Sequence, residues 1–266
     1  QEKVATFASV NYNISIVAGK EPYTYRGDGG SALFAFLPYP CLGAFDHVRN
    51  KYYIPTPEVS IVRSVDLQSD QPSFLTIETV IGYASYGYNG DGGLAANAKI
   101  SSPESLALDA SCTYLYMSDS AAHVIRRVHL PTQIIETIAG TGKAGLKGDG
   151  GLAVNAQLNF PGGLLPVNDD LLYLADTKNH AVRVINLKTG IIKTIAGQLG
   201  SRGFIDNVIA TYAKLNAPYQ IDMDMRSKNQ IYIADSYNDR IRMLDLTSGI
   251  ITTVAGSSKS GYAGDN

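Results

Sequence analysis

The chain has 266 residues, 45% of them hydrophobic, which is enough to bury a large core; disorder is excluded, and the length permits one large domain or two ordinary ones. With 22 basic against 24 acidic residues the net charge is −2 and no basic patch is concentrated anywhere, so a nucleic acid is not an expected partner. No apolar run is long enough to span a bilayer, and the first 20 residues lack the basic start and apolar centre of a signal peptide, so membrane insertion is not expected either.

In chain order, the first motif is Asn13-Ile14-Ser15, the one N-glycosylation sequon. With Gln1 as a processed terminus and 17 Tyr, it points to an extracellular or cell-surface location, the cytoplasm staying open as the alternative. A β-branched run then ends in Gly: Ser15-Ile16-Val17-Ala18-Gly19. Nine residues on stands an Asp in a glycine loop, Gly27-Asp28-Gly29-Gly30, and twelve beyond the Asp stands Pro40. Cys41 follows; with Cys112 it has neither metal-site spacing nor the density of a disulfide scaffold, and both are read as free, buried thiols.

This frame repeats. The closing glycines are Gly19, Gly82, Gly140, Gly197 and Gly256, at periods of 63, 58, 57 and 59. The Asp comes nine later each time (Asp28, Asp91, Asp149, Asp206, Asp265), and the Pro twelve after that (Pro40, Pro103, Pro161, Pro218). Past the Pro come a short apolar run, then Leu115-Tyr116-Met117-Ser118-Asp119, Leu172-Tyr173-Leu174-Ala175-Asp176 or Ile231-Tyr232-Ile233-Ala234-Asp235, and an Arg seven beyond that acid: Arg126, Arg183, Arg242. The first copy keeps Arg63 but has Thr56 in place of the acid. Four strand-like runs per unit predict an all-β chain, a β-propeller of four-stranded antiparallel blades. The expected division is 1–19, outer strand of a preceding blade; 20–82, 83–140, 141–197 and 198–256, blades one to four; 257–266, the start of a further repeat. Together they make one propeller domain.

The order Thr-Ile-Ala-Gly, Gly-Asp-Gly-Gly, Ala-x-x-Ala, Pro, Leu-Tyr-Leu-Ala-Asp, then Thr177-Lys178-Asn179-His180 and Val182-Arg183-Val184, resembles the NHL repeat family in its long-repeat form over nearly the whole chain. Asp235-Ser236-Tyr237-Asn238-Asp239-Arg240-Ile241-Arg242 fits the pattern most closely; the second blade departs from it with Ala122 where the others have Asn179 or Asn238. The resemblance implies a ring of about six blades, of which residues 1–266 hold four complete ones with partial units at both ends, as part of a longer chain.

Ala follows each complete Asp at four and seven residues, which predicts a short helical segment with the Asp as its N-cap. Asp28, Asp91, Asp149, Asp206 and Asp265 are therefore expected to be structural caps. Ile205-Asp206-Asn207-Val208 supports this, because it keeps the Asp while losing the glycines an ion cradle needs. Asp119, Asp176 and Asp235 are expected to bond nearby backbone or the following Arg. The metal candidates, ranked below the structural reading, are Asp28, Asp91 and Asp149 for calcium, and the equivalent pair His123 and His180; otherwise no cofactor is expected. No nucleophile motif or Cys/His pair shows in the sequence, and no singular polar cluster breaks the repeat, so no catalytic residue is assigned. The expected function is a non-catalytic protein interaction or assembly module, partnered by protein or by itself. The alternative is a metal-dependent hydrolase or lyase of the propeller superfamily with its site in the central channel, and the third reading is an RNA-binding NHL module.

Overall fold

The structure is a computed structural model that describes residues 27–69, 71–224 and 226–257. The run 14–18 and the residues Asn13 and Asp265 lie outside them. Among the described residues seventeen strands form four antiparallel sheets in chain order. Blade one holds β1 (Ala44–Asp46), β2 (Lys51–Thr56), β3 (Ile61–Asp66) and β4 (Ile77–Ile81). Blade two holds β5 (Pro103–Leu108), β6 (Tyr114–Asp119), β7 (Val124–His129) and β8 (Ile134–Ala139), and blade three β9 (Pro161–Val167), β10 (Leu171–Asp176), β11 (Ala181–Asn186) and β12 (Ile192–Ala196). Blade four has β13 (Val208–Ile209), β14 (Pro218–Met223), β15 (Gln230–Asp235), β16 (Arg240–Asp245) and β17 (Ile250–Gly256), with β13 added outside β17.

The central strands of blades two and three carry apolar residues on both faces because those sheets are packed on both sides. Side chains alternate along a strand, so in β6 Leu115 and Met117 enter the layer shared with Val62 and Ile81 of blade one. Tyr116, between them, enters the layer shared with Leu172, Leu174 and Ile185 of blade three. In β10 the same alternation sends Tyr173 and Ala175 to the layer shared with Ile221, Ile231 and Ile233 of blade four. A fully buried side chain of this size contributes roughly 1.5–3 kcal/mol, and most of it exists only when two blades meet.

The first strands of the blades face each other around a common axis. Leu42 bonds in parallel to blade two, with its N–H on the Glu104 carbonyl at 3.3 Å and its carbonyl taking the Leu106 N–H at 2.8 Å. Farther out, the segment leading into each blade runs along that blade's own last strand. Gly92 N–H donates to the Ile135 carbonyl at 2.8 Å and Ile135 N–H returns a bond to Gly93 at 3.0 Å; Gly150, Ile192 and Gly151 repeat this at 2.8 and 3.0 Å. In blade four the same run is β13. The segment then makes a 3-10 turn (Ala32–Phe34, Ala95–Asn97, Ala153–Asn155, Ala210–Tyr212) whose two alanines, such as Ala95 and Ala98, are buried. Only a residue as small as Ala lets the turn sit this deep between neighbouring blades.

Candidate functional site

The loop carboxylates do not cap the turns, which corrects the N-cap expectation for Asp28, Asp91, Asp149 and Asp206. The N-cap positions are Ser31, Leu94, Leu152 and Ile209, and none makes a side-chain cap bond. The carboxylates instead reach the fully buried Arg of the third strand. Arg63 pairs with Asp28 at 2.5 Å, Arg126 with Asp91 at 2.6 Å, Arg183 with Asp149 at 3.1 Å and Arg242 with Asp206 at 2.9 Å. A buried guanidinium needs a counter-charge and acceptors for its five N–H groups, and the loop supplies both. Backbone carbonyls from the same lead-in segment complete the set: Phe36, Lys99, Gln157 and Lys214 each accept from NH1.

Asp176 and Asp235, fully buried at the end of the second strand, bind the other side of that Arg. Arg183 donates to Asp176 Oδ2 at 3.2 Å and Arg242 to Asp235 Oδ2 at 3.0 Å. Asn179 Nδ2 bridges Asp176 Oδ2 (2.8 Å) to the Gly145 carbonyl (2.7 Å), and Asn238 Nδ2 bridges Asp235 Oδ2 to the Gly203 carbonyl at the same distances. Blade two lacks this bridge. Ala122 replaces the Asn, Ser101 Oγ takes the equivalent Gly87 carbonyl at 3.0 Å, and Arg126 turns to Asp91, Asn89 and Lys99. Asp119 Oδ1 accepts the N–H groups of Ser101 (2.9 Å) and Ser102 (2.8 Å), but among the described residues nothing donates to Oδ2.

Burial pushes the Asp119 carboxyl up to about 6, against the pull of the two N–H groups and of the Arg126 charge. Its ordinary value is 3.8. Between the two the folded state holds the proton more tightly than the unfolded chain, so stability falls as pH rises through this window and levels off above it. Ala122→Asn should supply the missing donor. We expect it to raise stability at pH 7.5 by about 1.5 kcal/mol, the scale of a hydrogen bond to a charged group, and to lose that gain at pH 4, where Asp119 is protonated in the parent. Denaturant midpoints of both chains at the two pH values check this, and an unchanged midpoint at pH 7.5 contradicts it.

The two imidazoles considered as a metal pair are each engaged with backbone. Each fastens its blade to the next: His123 Nδ1 accepts the Phe160 N–H at 3.2 Å, and His180 Nδ1 accepts the Ala217 N–H at 3.1 Å. Burial, then the charge of Lys178 for His123 and of Arg202 for His180, lowers both pKa values and keeps the acceptor nitrogen unprotonated at neutral pH. The cysteines are both free, Cys112 buried as expected and Cys41 only half-buried. Cys112 Sγ lies 3.3 Å from His47 Nδ1, a proximity that 65 residues of separation conceal in the sequence. The thiol is held above its ordinary value, by burial first, so this pair is not an activated nucleophile.

One polar cluster does break the repeat, contrary to the sequence reading. The residue just after the Pro is Cys41, Glu104, Gly162 or Tyr219 in the successive blades, and three of the four side chains converge where the first strands begin. Tyr219 Oη donates to Glu104 Oε2 at 2.8 Å, from blade four across to blade two. Ser102 Oγ donates to Glu104 Oε1 at 3.1 Å, and Cys41 Sγ stands 3.7 Å from Oε2. Gly162 makes the span possible. A Cβ there would stand 2.8 Å from the Tyr219 carbonyl oxygen and 2.9 Å from Thr177 Oγ1. Burial and then the Glu104 charge push the Cys41 thiol up to about 11, and burial with the Glu104 bond raises the Tyr219 phenol. Both therefore stay protonated at neutral pH and act as donors toward Glu104. Beside Glu104 opens a groove of about 540 Å³ between blades one and two, lined also by Glu58, Ser60, Tyr86, Ser101 and Ser102 and, among the described residues, by no Lys, Arg or His.

No family model matches the chain. It is 30% identical over 161 residues to NHL repeat-containing protein 2 of Bos taurus, an alignment covering 60% of this chain and 21% of that protein, so the chain spans about a fifth of the relative's length. The structure of an auxiliary nutrient binding protein from Bacteroides ovatus superposes with a TM-score of 0.59 at 20% identity, over 81% of this chain and 48% of that one. The virginiamycin B lyase of Staphylococcus aureus superposes with a TM-score of 0.50 at 14% identity, over 80% and 54%. At such identities the structural likenesses speak for the fold alone. With the fixed ruler of Gly, Asp, Pro and Arg and four sheets in succession, the chain shows an NHL-type repeat and a β-propeller fold similar to those of the NHL-repeat proteins.

Proposed function

We propose that the chain is a non-catalytic protein-interaction module and that its recognition site is the mouth formed by Cys41, Glu104, Gly162 and Tyr219. One observation carries this reading. Where the repeat is constant, its polar groups are consumed in building the blades: each loop Asp is spent on the buried Arg of its own blade's third strand. In the column just after the Pro, where the residue differs from blade to blade, the side chains gather at one place beside an open groove. A scaffold needs repetition, whereas recognition of one ligand needs a singular surface. The Cys41 thiol and Tyr219 phenol, both raised, suit donors that orient a ligand rather than nucleophiles.

The test compares partners co-purifying with the full chain and with Glu104→Lys, using Glu136→Lys on the outer strand β8 as control. A partner lost with the first change and kept with the second supports the reading. A partner set indifferent to Glu104, or turnover abolished by changing Tyr219 or Glu104, would sink it. An extracellular setting belongs to the same proposal, on the strength of the sequon at Asn13, and a native chain bearing no glycan there removes that part.

A further inference from the structure

The groove beside Glu104 has a definite electrostatic character, and the observations that define it are independent of one another. Two carboxylates, of exposed Glu58 and half-buried Glu104, stand in its lining, together with the hydroxyls of Ser60, Ser101, Ser102 and Tyr86. Among the described residues no cationic side chain lines it. Directly behind its wall lies a third carboxylate: Asp119 holds the N–H groups of Ser101 and Ser102 on Oδ1, is fully buried, and has Oδ2 without a donor among the described residues. Blades three and four place Asn and Arg donors on that oxygen, so among the described residues the donor-free carboxylate oxygen is peculiar to blade two. Potential from an under-compensated buried charge adds to that of the groove's own acids because little solvent lies between them.

The bonding of Glu104 narrows the ligand further. A carboxylate offers about four lone-pair positions. Ser102 occupies one on Oε1 and Tyr219 one on Oε2, while the Cys41 contact, at 3.7 Å from a weak thiol donor, is readily displaced. One acceptor position therefore remains on each oxygen, the arrangement that a planar two-pronged donor fills. Tyr86, largely exposed on the same groove, offers an aromatic face on which a delocalised cation stacks.

We propose that this groove receives an arginine side chain of a partner polypeptide, with Glu104 as its bidentate anchor, Glu58 as the outer counter-charge and Tyr86 as the stacking face. The proposal rests on the reading of the mouth as a recognition site, and it specifies the chemistry that the mouth recognises.

The probes are two capped peptides, acetyl-Gly-Arg-Gly-amide and its citrulline counterpart, which keeps the shape and loses the charge. They are titrated into the full chain by NMR at low and high salt. The arginine peptide is expected to bind in the millimolar range and more weakly at high salt, and the citrulline peptide at least about tenfold more weakly, the loss of a charge-assisted fork. Glu104→Gln should abolish the preference for arginine, and Glu58→Gln, at an exposed position where folding is not at stake, should weaken arginine binding about threefold. Glu136→Gln should change nothing. Equal binding of the two peptides, arginine binding unaffected by Glu104→Gln and Glu58→Gln, or no binding of the arginine peptide at 10 mM (about ten times the expected constant) each overturns the proposal. Should the peptides fail while a partner's retention still depends on Glu104, the recognition site stands and only its arginine chemistry falls.

Discussion

Replacing Arg183 by Met is expected to cost about 3–5 kcal/mol, the largest loss of any single change considered, because it strands a buried charge. The guanidinium is fully buried and holds Asp176 at 3.2 Å, Asp149 at 3.1 Å and the Gln157 carbonyl at 3.0 Å. Met fills much of the same volume, so the cost isolates the electrostatics. Asp149 is about a third exposed and regains water when the Arg is gone, but Asp176 is fully buried and keeps only the Asn159 N–H and the Asn179 amide. Blade one is the internal control. There Thr56 stands in place of the second acid and bonds the Ile61 carbonyl, and the Arg63 partner Asp28 is also about a third exposed. Arg63→Met should accordingly cost clearly less, about 1–2 kcal/mol. Denaturant midpoints of the two variants decide the matter; equal losses would show that packing, rather than the stranded acid, sets the cost.

Gly140→Ala is the second large effect, expected at roughly 2–5 kcal/mol from two additive causes. The residue closes the last strand of blade two at φ +95°, where an L side chain is strained. A Cβ there would lie 2.3 Å from the His123 carbonyl oxygen and 2.8 Å from Val124 Cα, both backbone and unable to turn aside. Relief by moving the strand end would stretch the bond from the Gly140 N–H to the Ala153 carbonyl, now 2.9 Å, and with it the junction to blade three. Gly92→Ala separates the causes. It has φ +80° but open space around its Cβ, and should cost only about 1 kcal/mol. Asn207 already occupies the equivalent place in blade four at φ +55°. A Gly140→Ala chain as stable as Gly92→Ala would refute the steric argument.

These comparisons show what a repetitive sequence makes legible. Strands, blades and the buried alanines follow from the ruler of closing Gly, Asp and Pro, because each copy tests the others. The partner of the loop Asp did not follow: the Ala at four and seven residues suggested a local cap, while the guanidinium that claims the carboxylate lies 34 to 36 residues downstream. Its signal was present, since Arg63, Arg126, Arg183 and Arg242 keep the same offset and a charge fixed at a strand's centre must be paired. The mouth was missed for the opposite reason. Cys41, Glu104, Gly162 and Tyr219 share a column of the repeat, and a search for sameness passes over the column that varies. Ala122 departs visibly from the family pattern, but its effect on Asp119, the loss of a donor, depends on contacts of Gly87 and Ser101 that no spacing shows.

The lead-in segment has a meaning for how such chains grow. Gly92 and Gly93 zip onto the last strand of the very blade they introduce, as do Gly150 and Gly151 one repeat later. Every unit thus carries its own fastening, which joins its first residues to its last and hides the bare margin that another chain might copy. A stretch of gene from one such loop to the next encodes a cassette whose internal closure does not depend on its neighbours. Duplication or loss of one cassette leaves every other clasp shut, while the column just after the Pro, at the axis, stays free to be rewritten.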